Sequence, residues 1–203
     1  MVPKTIFLKI IIGLMFVCVA GHSSAQTTFT LKYFGVTIHP TGDRTAALQP
    51  YKLDKKAHVV ANFGAFAGVE RFVYKNYISV KLIQGLFTDC SGGWCSVTHL
   101  GARMICYEKP KHRIYFGIGP AYMVRNSWTR FGDRYQSSGF FNVDSTRNFG
   151  VVQHKFLPVS FELEYDWVIT PKNQLSVSFT PGIPLACILS VGWKHWFSIK
   201  EYE

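Results

Sequence analysis

Beyond residue 25 this chain has no apolar run of the roughly 18–20 residues that a membrane-crossing helix needs, and its apolar residues do not recur with a period of 3.6. Those two absences exclude a helical membrane protein and a helical bundle. No internal repeat or low-complexity tract is present, which removes solenoids and compositionally biased tails. Acidic residues are scarce. Twelve Asp and Glu stand against 22 Lys and Arg, for a formal charge of +10 over 203 residues. The basic excess comes without any nucleic-acid motif, so DNA and RNA are not expected partners. Cysteine is also sparse, at five residues, too few for a fold held together by disulfides.

What is present begins with processing information. Lys4 and Lys9 make a positive start, Ile10 to Ala20 is a short apolar run, and Ser23-Ser24-Ala25 places small residues at the positions a signal peptidase reads. A cleaved export signal over residues 1–25 is the expectation, leaving one domain over 26–203. The apolar run is too short for a spanning anchor. A lipoprotein signal would acylate Cys18, but the preceding Val17 is not a small residue. Loss of Lys4 and Lys9 lowers the formal charge from +10 to +8.

After the signal, polar and apolar residues alternate with a period of two, which predicts strands. Eight segments are expected. The first, Thr27 to Ile38, sets Phe29, Leu31 and Tyr33 against Thr28, Thr30 and Lys32. Its pattern slips at Gly35, after which Phe34, Val36 and Ile38 form the apolar face; a Gly there suggests a bulge. A long loop, His39 to Lys56, precedes the second segment, Ala57 to Tyr74. Lys75-Asn76 turns tightly into the third, Tyr77 to Phe87. Thr88 to Trp94 leads to the fourth, Cys95 to Tyr107, and a turn over Glu108 to His112 to the fifth, Arg113 to Arg125. The largest loop, Asn126 to Val152, precedes the sixth, Phe156 to Ile169, where Leu157, Val159, Phe161, Leu163, Tyr165 and Trp167 alternate with Ser160, Glu162, Glu164 and Asp166. Thr170 to Asn173 turns into the seventh, Gln174 to Pro181. A connection through Gly182 and Pro184 leads to the eighth, in which Leu189, Val191, Trp193 and Phe197 oppose Ser190, Gly192 and Lys194.

Connections alternate short and long, and an even strand count returns both ends to one side. In lipid every backbone donor and acceptor needs a partner, so such a sheet must close. The polar face carries Lys32, Lys81, Arg103 and Lys194 against Glu70, Glu162, Glu164 and Asp166. Four charges of each sign among Gly and Ser suit a narrow lumen, where an unpaired charge is costly. The opposite face is large, aliphatic and aromatic, with Tyr33, Tyr165, Trp167, Trp193 and Phe197 placed toward strand ends as in an aromatic girdle. The expectation is an all-β, eight-stranded, antiparallel up-and-down transmembrane β-barrel. A soluble exported barrel of the lipocalin kind, with an apolar ligand inside, is the alternative in which the two faces exchange roles.

The chain resembles the small eight-stranded outer-membrane proteins of Gram-negative bacteria, of the OmpA-transmembrane-domain and OmpX type. The resemblance covers the whole exported part and is mostly architectural. Its local motif is the C-terminal assembly signal, a polar residue, any, Gly, two of any, an apolar residue, any, and an aromatic. Ser190, Gly192 and Phe197 match it, His195 departs from the apolar position, and six residues follow. The resemblance implies the outer membrane, the barrel-assembly machinery and outer-membrane lipid and lipopolysaccharide as partners, short periplasmic turns and outer loops. Lipopolysaccharide phosphates facing basic outer loops also account for the net charge. Oligomeric state stays open.

The candidate functional residues are few. Cys90 and Cys95 bracket Ser-Gly-Gly-Trp in an exported loop, and a stabilising disulfide is expected. Cys106 and Cys187 are expected unpaired. Some barrels of this look are lipid A deacylases or acyltransferases that use Ser, His and a carboxylate. Ser96 with His99, and His39 or His154 at loop bases, are the candidates. Ser96 and His99 are three apart and lie on opposite strand faces, and the deacylase His-x-Ser motif is missing. The Glu162, Glu164, Asp166 row suits either cation guidance or a structural plug paired with Lys81, Arg103 and Lys194. Trp128, Arg130, Phe131, Arg134 and Tyr135, with Phe140 and Phe141, give the large loop a basic-aromatic character. That loop either binds an external partner or folds over the barrel mouth. No metal or cofactor is expected. The function expected is a non-enzymatic structural or surface-interaction role, with a lipid A-modifying hydrolase or transferase and a soluble binder of an apolar ligand as alternatives.

Overall fold

The computed structural model describes residues 26–75, 77–134, 147–149, 152–182 and 186–197. The expected signal segment lies outside the described residues. Among the described residues ten strands follow one another: β1 Thr27–Ile38, β2 Val59–Ala61, β3 Gly64–Tyr74, β4 Ile78–Thr88, β5 Trp94–Lys109, β6 His112–Asn126, β7 Arg147–Phe149, β8 Val152–Thr170, β9 Asn173–Gly182 and β10 Ala186–Trp196. Eight of them form the wall, each antiparallel to its neighbour, in the order β1-β3-β4-β5-β6-β8-β9-β10, and β10 pairs back onto β1. The sheet therefore closes into an eight-stranded up-and-down barrel. β2 continues the second wall strand beyond a break, and β7 adds a short hairpin arm to β8.

The break between β2 and β3 has a local cause. Asn62 turns inward, where its Oδ1 accepts from Thr37 Oγ1 at 2.8 Å and its Nδ2 donates to the Thr88 carbonyl at 2.7 Å. Those side-chain bonds replace ladder bonds and split the segment that the alternation joins. At Gly35 the register shifts between Phe34 and Val36. The extra residue leaves Phe34 pointing into the barrel, 1 % exposed. The assignment of Phe34 to the apolar outer face is thus corrected: the bulge turns the alternation after Phe34, not before it.

The connections have two characters. β3–β4, β5–β6 and β8–β9 are joined by tight turns at residues 75–77, 110–111 and 171–172. The other end carries the long segment 39–58, the 89–93 turn, and residues 127–134. Each tight turn is also pinned sideways to its neighbour: Val168 N donates to Lys111 O at 2.9 Å, and Trp196 N to Lys172 O at 2.8 Å.

The barrel is turned inside out relative to a water-soluble one. Leu31, Val80, Leu86, Leu100, Met104, Ile118, Val159, Leu163, Val191 and Trp193 are all exposed on the outside. Lys32, Glu70, Lys81, Arg103, Glu162, Glu164, Asp166 and Lys194 are all buried within. Leaving one large apolar side chain in water forgoes about 1.5–3 kcal/mol, so a continuous belt of them requires lipid around it. The soluble, lipocalin-like alternative needs the faces the other way round and is overturned by this polarity. Tyr74, Tyr77, Tyr107, Tyr165, Trp167 and Phe197 are exposed near the tight turns, and Tyr51, Phe63, Trp94 and Phe156 toward the loop end. Tyr33, expected in a girdle, lies midway along β1.

Two apolar layers cross the lumen above and below its charges. Near the loops Phe34, Phe87 and Cys95 pack with Phe66, Val97, Met123 and Ile188. Near the tight turns Phe72, Tyr115 and Trp196 pack with Ile105. The alternation marks the inner face as polar and small, so these inward aromatics are an addition that only the closed sheet reveals.

Candidate functional site

The structure brings all eight charged residues named from the inner face into one cluster. β8 supplies Glu162, Glu164 and Asp166 at every second position, so all three aim inward. β3 supplies Glu70, and the cations arrive from four other strands: Lys32 on β1, Lys81 on β4, Arg103 on β5 and Lys194 on β10. Glu164, wholly buried, pairs with every one of the four. Lys81 approaches it at 2.6 Å, Arg103 at 2.7 Å and Lys194 at 2.5 Å, and Lys32 contacts it as well. Around this centre Lys81 reaches Glu162 at 3.0 Å, Arg103 reaches Glu70 at 2.8 Å, and Lys194 reaches Asp166 at 2.5 Å. Ser79 and Ser178 hydroxyls donate to Glu70 and Glu162. The Tyr115 ring lies 4.7 Å from the Arg103 guanidinium and 4.4 Å from the Lys194 ammonium.

Glycines make room for these long side chains. A Cβ at Gly117 would stand 2.9 Å from Arg103 Cγ, so the arginine crosses the lumen over a residue with no side chain. The result is a neutral, hydrogen-bonded plug, four charges against four, in a space where any unmatched charge would be strongly unfavourable. Between the plug and the loop-side apolar layer lies a cavity of about 60 Å³ lined in part by His99, Ser160 and Thr30. That is room for a few water molecules.

At the loop end the barrel mouth is organised by Asp89. Its Oδ1 accepts from the Ser91 and Gly93 amides, each at 2.9 Å, and from Ser91 Oγ at 2.7 Å. Its Oδ2 accepts from Trp128 Nε1 at 2.5 Å. Trp128 is buried, with the Arg125 guanidinium 4.5 Å from its ring and Phe131 edge-on against it. Arg130 is exposed, stacked 4.8 Å from Phe131, and donates to Ser91 Oγ. So Trp128 belongs to the cover of the mouth, while Arg130 faces outward. The side chains of Arg134, Tyr135, Phe140 and Phe141 lie outside the described residues.

The expected disulfide is corrected. Cys90 and Cys95 are both free thiols. Cys95, the second residue of β5, lies opposite Phe87 and points into the lumen, whereas Cys90 sits in the turn and faces His39, with Sγ 3.5 Å from Nε2. Burial, with the Asp89 charge beside it, pushes the Cys90 thiol up to about 12. Asp89 itself closes the hairpin tip that the bridge was expected to close. Cys106 and Cys187 are free too.

The catalytic candidates do not converge. Ser96 faces outward and accepts from Gln84 Nε2 at 2.8 Å, while His99 faces the lumen from the opposite side of the same strand. His154 also faces outward, two strands away, with Tyr122 OH 2.6 Å from its Nδ1. His39 lies at the mouth with Asp43 at 3.9 Å. Among the described residues no three His, Cys, Asp or Glu side chains gather as a metal site. Of the assembly-signal residues, Ser190 is buried toward the lumen and Phe197 is exposed just past β10. At Gly192 an added Cβ would meet Leu31 O at 2.0 Å, so the seam between β1 and β10 closes on a bare backbone.

A closed eight-stranded ladder, an apolar belt outside and a neutral charged plug inside define a small transmembrane β-barrel. Comparison of the fold finds similar solved barrels. Ail, the attachment invasion locus protein of Yersinia pestis, is 13 % identical with a TM-score of 0.49 over 86 % of this chain and 100 % of that one. The N-terminal β-barrel domain of Pseudomonas aeruginosa OprF is 13 % identical with a TM-score of 0.46 over 86 % and 100 %. Neisserial surface protein A is 9 % identical with a TM-score of 0.44 over 86 % and 98 %. No protein-family model and no curated protein matches the sequence. At such identities the likenesses say nothing about what this chain binds, and the class rests on the barrel's own closure and polarity.

Proposed function

We propose that this protein is an exported outer-membrane barrel that acts through its outer surface, as a structural and surface-interaction element, rather than through its lumen. The observation that carries this reading is the plug. Glu164 holds four cations at once, and aromatic layers cross the lumen on either side. A lumen so filled is built for rigidity, and the parts left to meet a partner are the belt and the loops. The loop end offers Arg130 and the basic segment around Lys52, Lys55 and Lys56. Lipopolysaccharide, whose phosphates crowd the outer leaflet, is the partner that this charge fits. The barrel-assembly machinery would receive the chain through the seam strand β10, with Gly192 and Phe197 in its signal.

The test is fractionation followed by gel mobility with and without boiling, then lipopolysaccharide retention on the purified barrel. An outer-membrane protein with a heat-dependent shift, retaining lipopolysaccharide less well when Arg130 and Lys55 are changed to Gln, supports the proposal. A protein recovered from the soluble periplasm without a shift sinks it. Altered lipid A acylation on gene deletion, reproduced by Ser96→Ala or His154→Ala, would establish the enzymatic alternative in its place.

A further inference from the structure

The tight-turn end of the barrel carries an unexpected concentration of one charge. Lys75, Lys109, Lys111, Arg113 and Lys172 gather on or beside the three turns, and Glu108, ion-paired with Arg113 Nε at 3.0 Å, is the acid on those turns among the described residues. Turns this short place their side chains at the level of lipid headgroups, directly beneath the aromatic residues Tyr107, Tyr165 and Trp167. Between the β5–β6 and β8–β9 turns lies a pocket of about 410 Å³. One side of it is basic, from Lys111 and Arg113. The other is apolar, from Val168, Ile169 and Pro171. Its wall also includes Trp196, whose ring carries the Arg113 guanidinium at 5.4 Å. Trp196 is 2 % exposed, and its Nε1 donor has no hydrogen-bond partner. A buried donor without an acceptor is costly, and here it borders a pocket whose other polar groups include two cations. The turns are held in place by the Val168 N to Lys111 O and Trp196 N to Lys172 O bonds, so the pocket is set by backbone rather than by loose side chains.

We propose that this pocket binds the phosphate of an anionic phospholipid, of the phosphatidylglycerol kind, from the inner leaflet of the membrane. The inference rests on the barrel spanning that membrane with its tight turns on the periplasmic side. Lys111, Arg113 and Trp196 Nε1 supply the donors that a phosphate diester lacks protons to satisfy for itself. Val168, Ile169 and Pro171 supply the apolar wall for the glycerol, where the headgroup turns over the rim of the barrel. A phospholipid offers both chemistries in one molecule. The carboxylates of a peptidoglycan stem offer only the first, which is why the lipid is favoured.

Native mass spectrometry on the whole barrel tests this, after extraction from nanodiscs of equal phosphatidylethanolamine and phosphatidylglycerol. The wild type and an outer-loop control, Arg44→Gln, exposed in the 39–58 segment, are expected to keep phosphatidylglycerol at least five-fold over phosphatidylethanolamine. The Lys111→Gln, Arg113→Gln double variant is expected to lose that preference while keeping its heat-dependent gel shift. Equal retention of both lipids by the wild type overturns the proposal, as does an unchanged preference in the double variant. Displacement of the lipid by millimolar inorganic phosphate overturns it in favour of a free-anion site. Sedimentation with peptidoglycan sacculi that depends on Lys111 and Arg113 overturns it in favour of the cell wall. A wild type with no heat shift overturns the membrane reading itself, and this inference with it.

Discussion

Glu164→Gln is the substitution with the most to lose. Glutamine keeps the size and one acceptor oxygen of the original but removes the charge that faces Lys32, Lys81, Arg103 and Lys194. Four cations would then face three carboxylates in a space that is essentially closed to solvent, since Glu164, Lys194 and Glu70 are all 0 % exposed. Removing one partner from a buried ion pair costs about 3–5 kcal/mol, because the charge left behind is uncompensated. At about 1.4 kcal/mol per factor of ten, the folding equilibrium should fall by roughly 10² to 10⁴. The assay is urea unfolding of the barrel refolded into lipid vesicles, followed by the gel shift and by Trp fluorescence. Exposed Lys55→Gln serves as the reference and should stay within about 0.5 kcal/mol of wild type. Adding Lys194→Met to Glu164→Gln restores equal numbers of charges, so the double variant should be more stable than the sum of the two single losses by about 0.5–3 kcal/mol. A Glu164→Gln barrel as stable as the Lys55 control, or strictly additive losses, would refute the view that charge matching governs the plug.

Other expectations are equally specific. Gly192→Ala would drive a Cβ to 2.0 Å from Leu31 O, a backbone clash at the closing seam that should cost at least about 1–3 kcal/mol and reduce the heat-resistant band, while Ser190→Ala should not. Asp54 is held down to about 2, first by His58 at 2.8 Å and then by the Val59 and Lys56 amides. A carboxylate lowered on folding stabilises its loop above its ordinary value near 3.8 and loses that contribution as pH falls through about 2. Hydrogen exchange at Val59 and Lys56 should therefore lose protection between pH 4 and pH 2 in the wild type, and show no such step in Asp54→Asn. Thiol counting should find Cys90 and Cys95 both free. Iodoacetamide at pH 8 should modify Cys90 far more slowly than a model thiol, because its pKa of about 12 leaves little thiolate. A pair that resists labelling until reduced would contradict the structure.

Much of the architecture is legible from alternation alone. The parity of β8 places Glu162, Glu164 and Asp166 on one face, and the parity of β1, β4, β5 and β10 does the same for the four cations. Charge balance then indicates which face is the lumen. What alternation does not carry is any event that changes the count by one or acts across the barrel. The Gly35 bulge reverses the alternation only after Phe34, which keeps the inward parity of Lys32, and the apolar pattern marks a slip there without marking on which side of Phe34 it falls. The inward ring of Phe72 meets Trp196 only because β1, lying between their strands, brings β3 and β10 together at the tight-turn end, a relation between residues 124 positions apart. The Cys90–Cys95 spacing suits a bridge, yet the turn hands its closing role to Asp89, which binds Ser91 and Gly93 within the turn and Trp128 from a distant segment. The basic rim at the tight turns is visible in the sequence once the turns are lined up. It is hidden while each Lys is read as an isolated turn residue.

The placement of the plug charges has a consequence for how the barrel is completed. Three of the four acids arrive together on β8, but the cations come singly from β1, β4, β5 and β10. β1 and β10 are the first and last wall strands, and they meet only when the cylinder shuts. Before that moment β3, β4, β5 and β8 together hold two cations and four acids. Lys32 and Lys194 bring the balance to zero, from strands that lie side by side at the seam. Neutrality inside the barrel is thus a property of the finished cylinder alone, and a sheet that stalls before its last pairing carries an electrostatic penalty that marks it as incomplete.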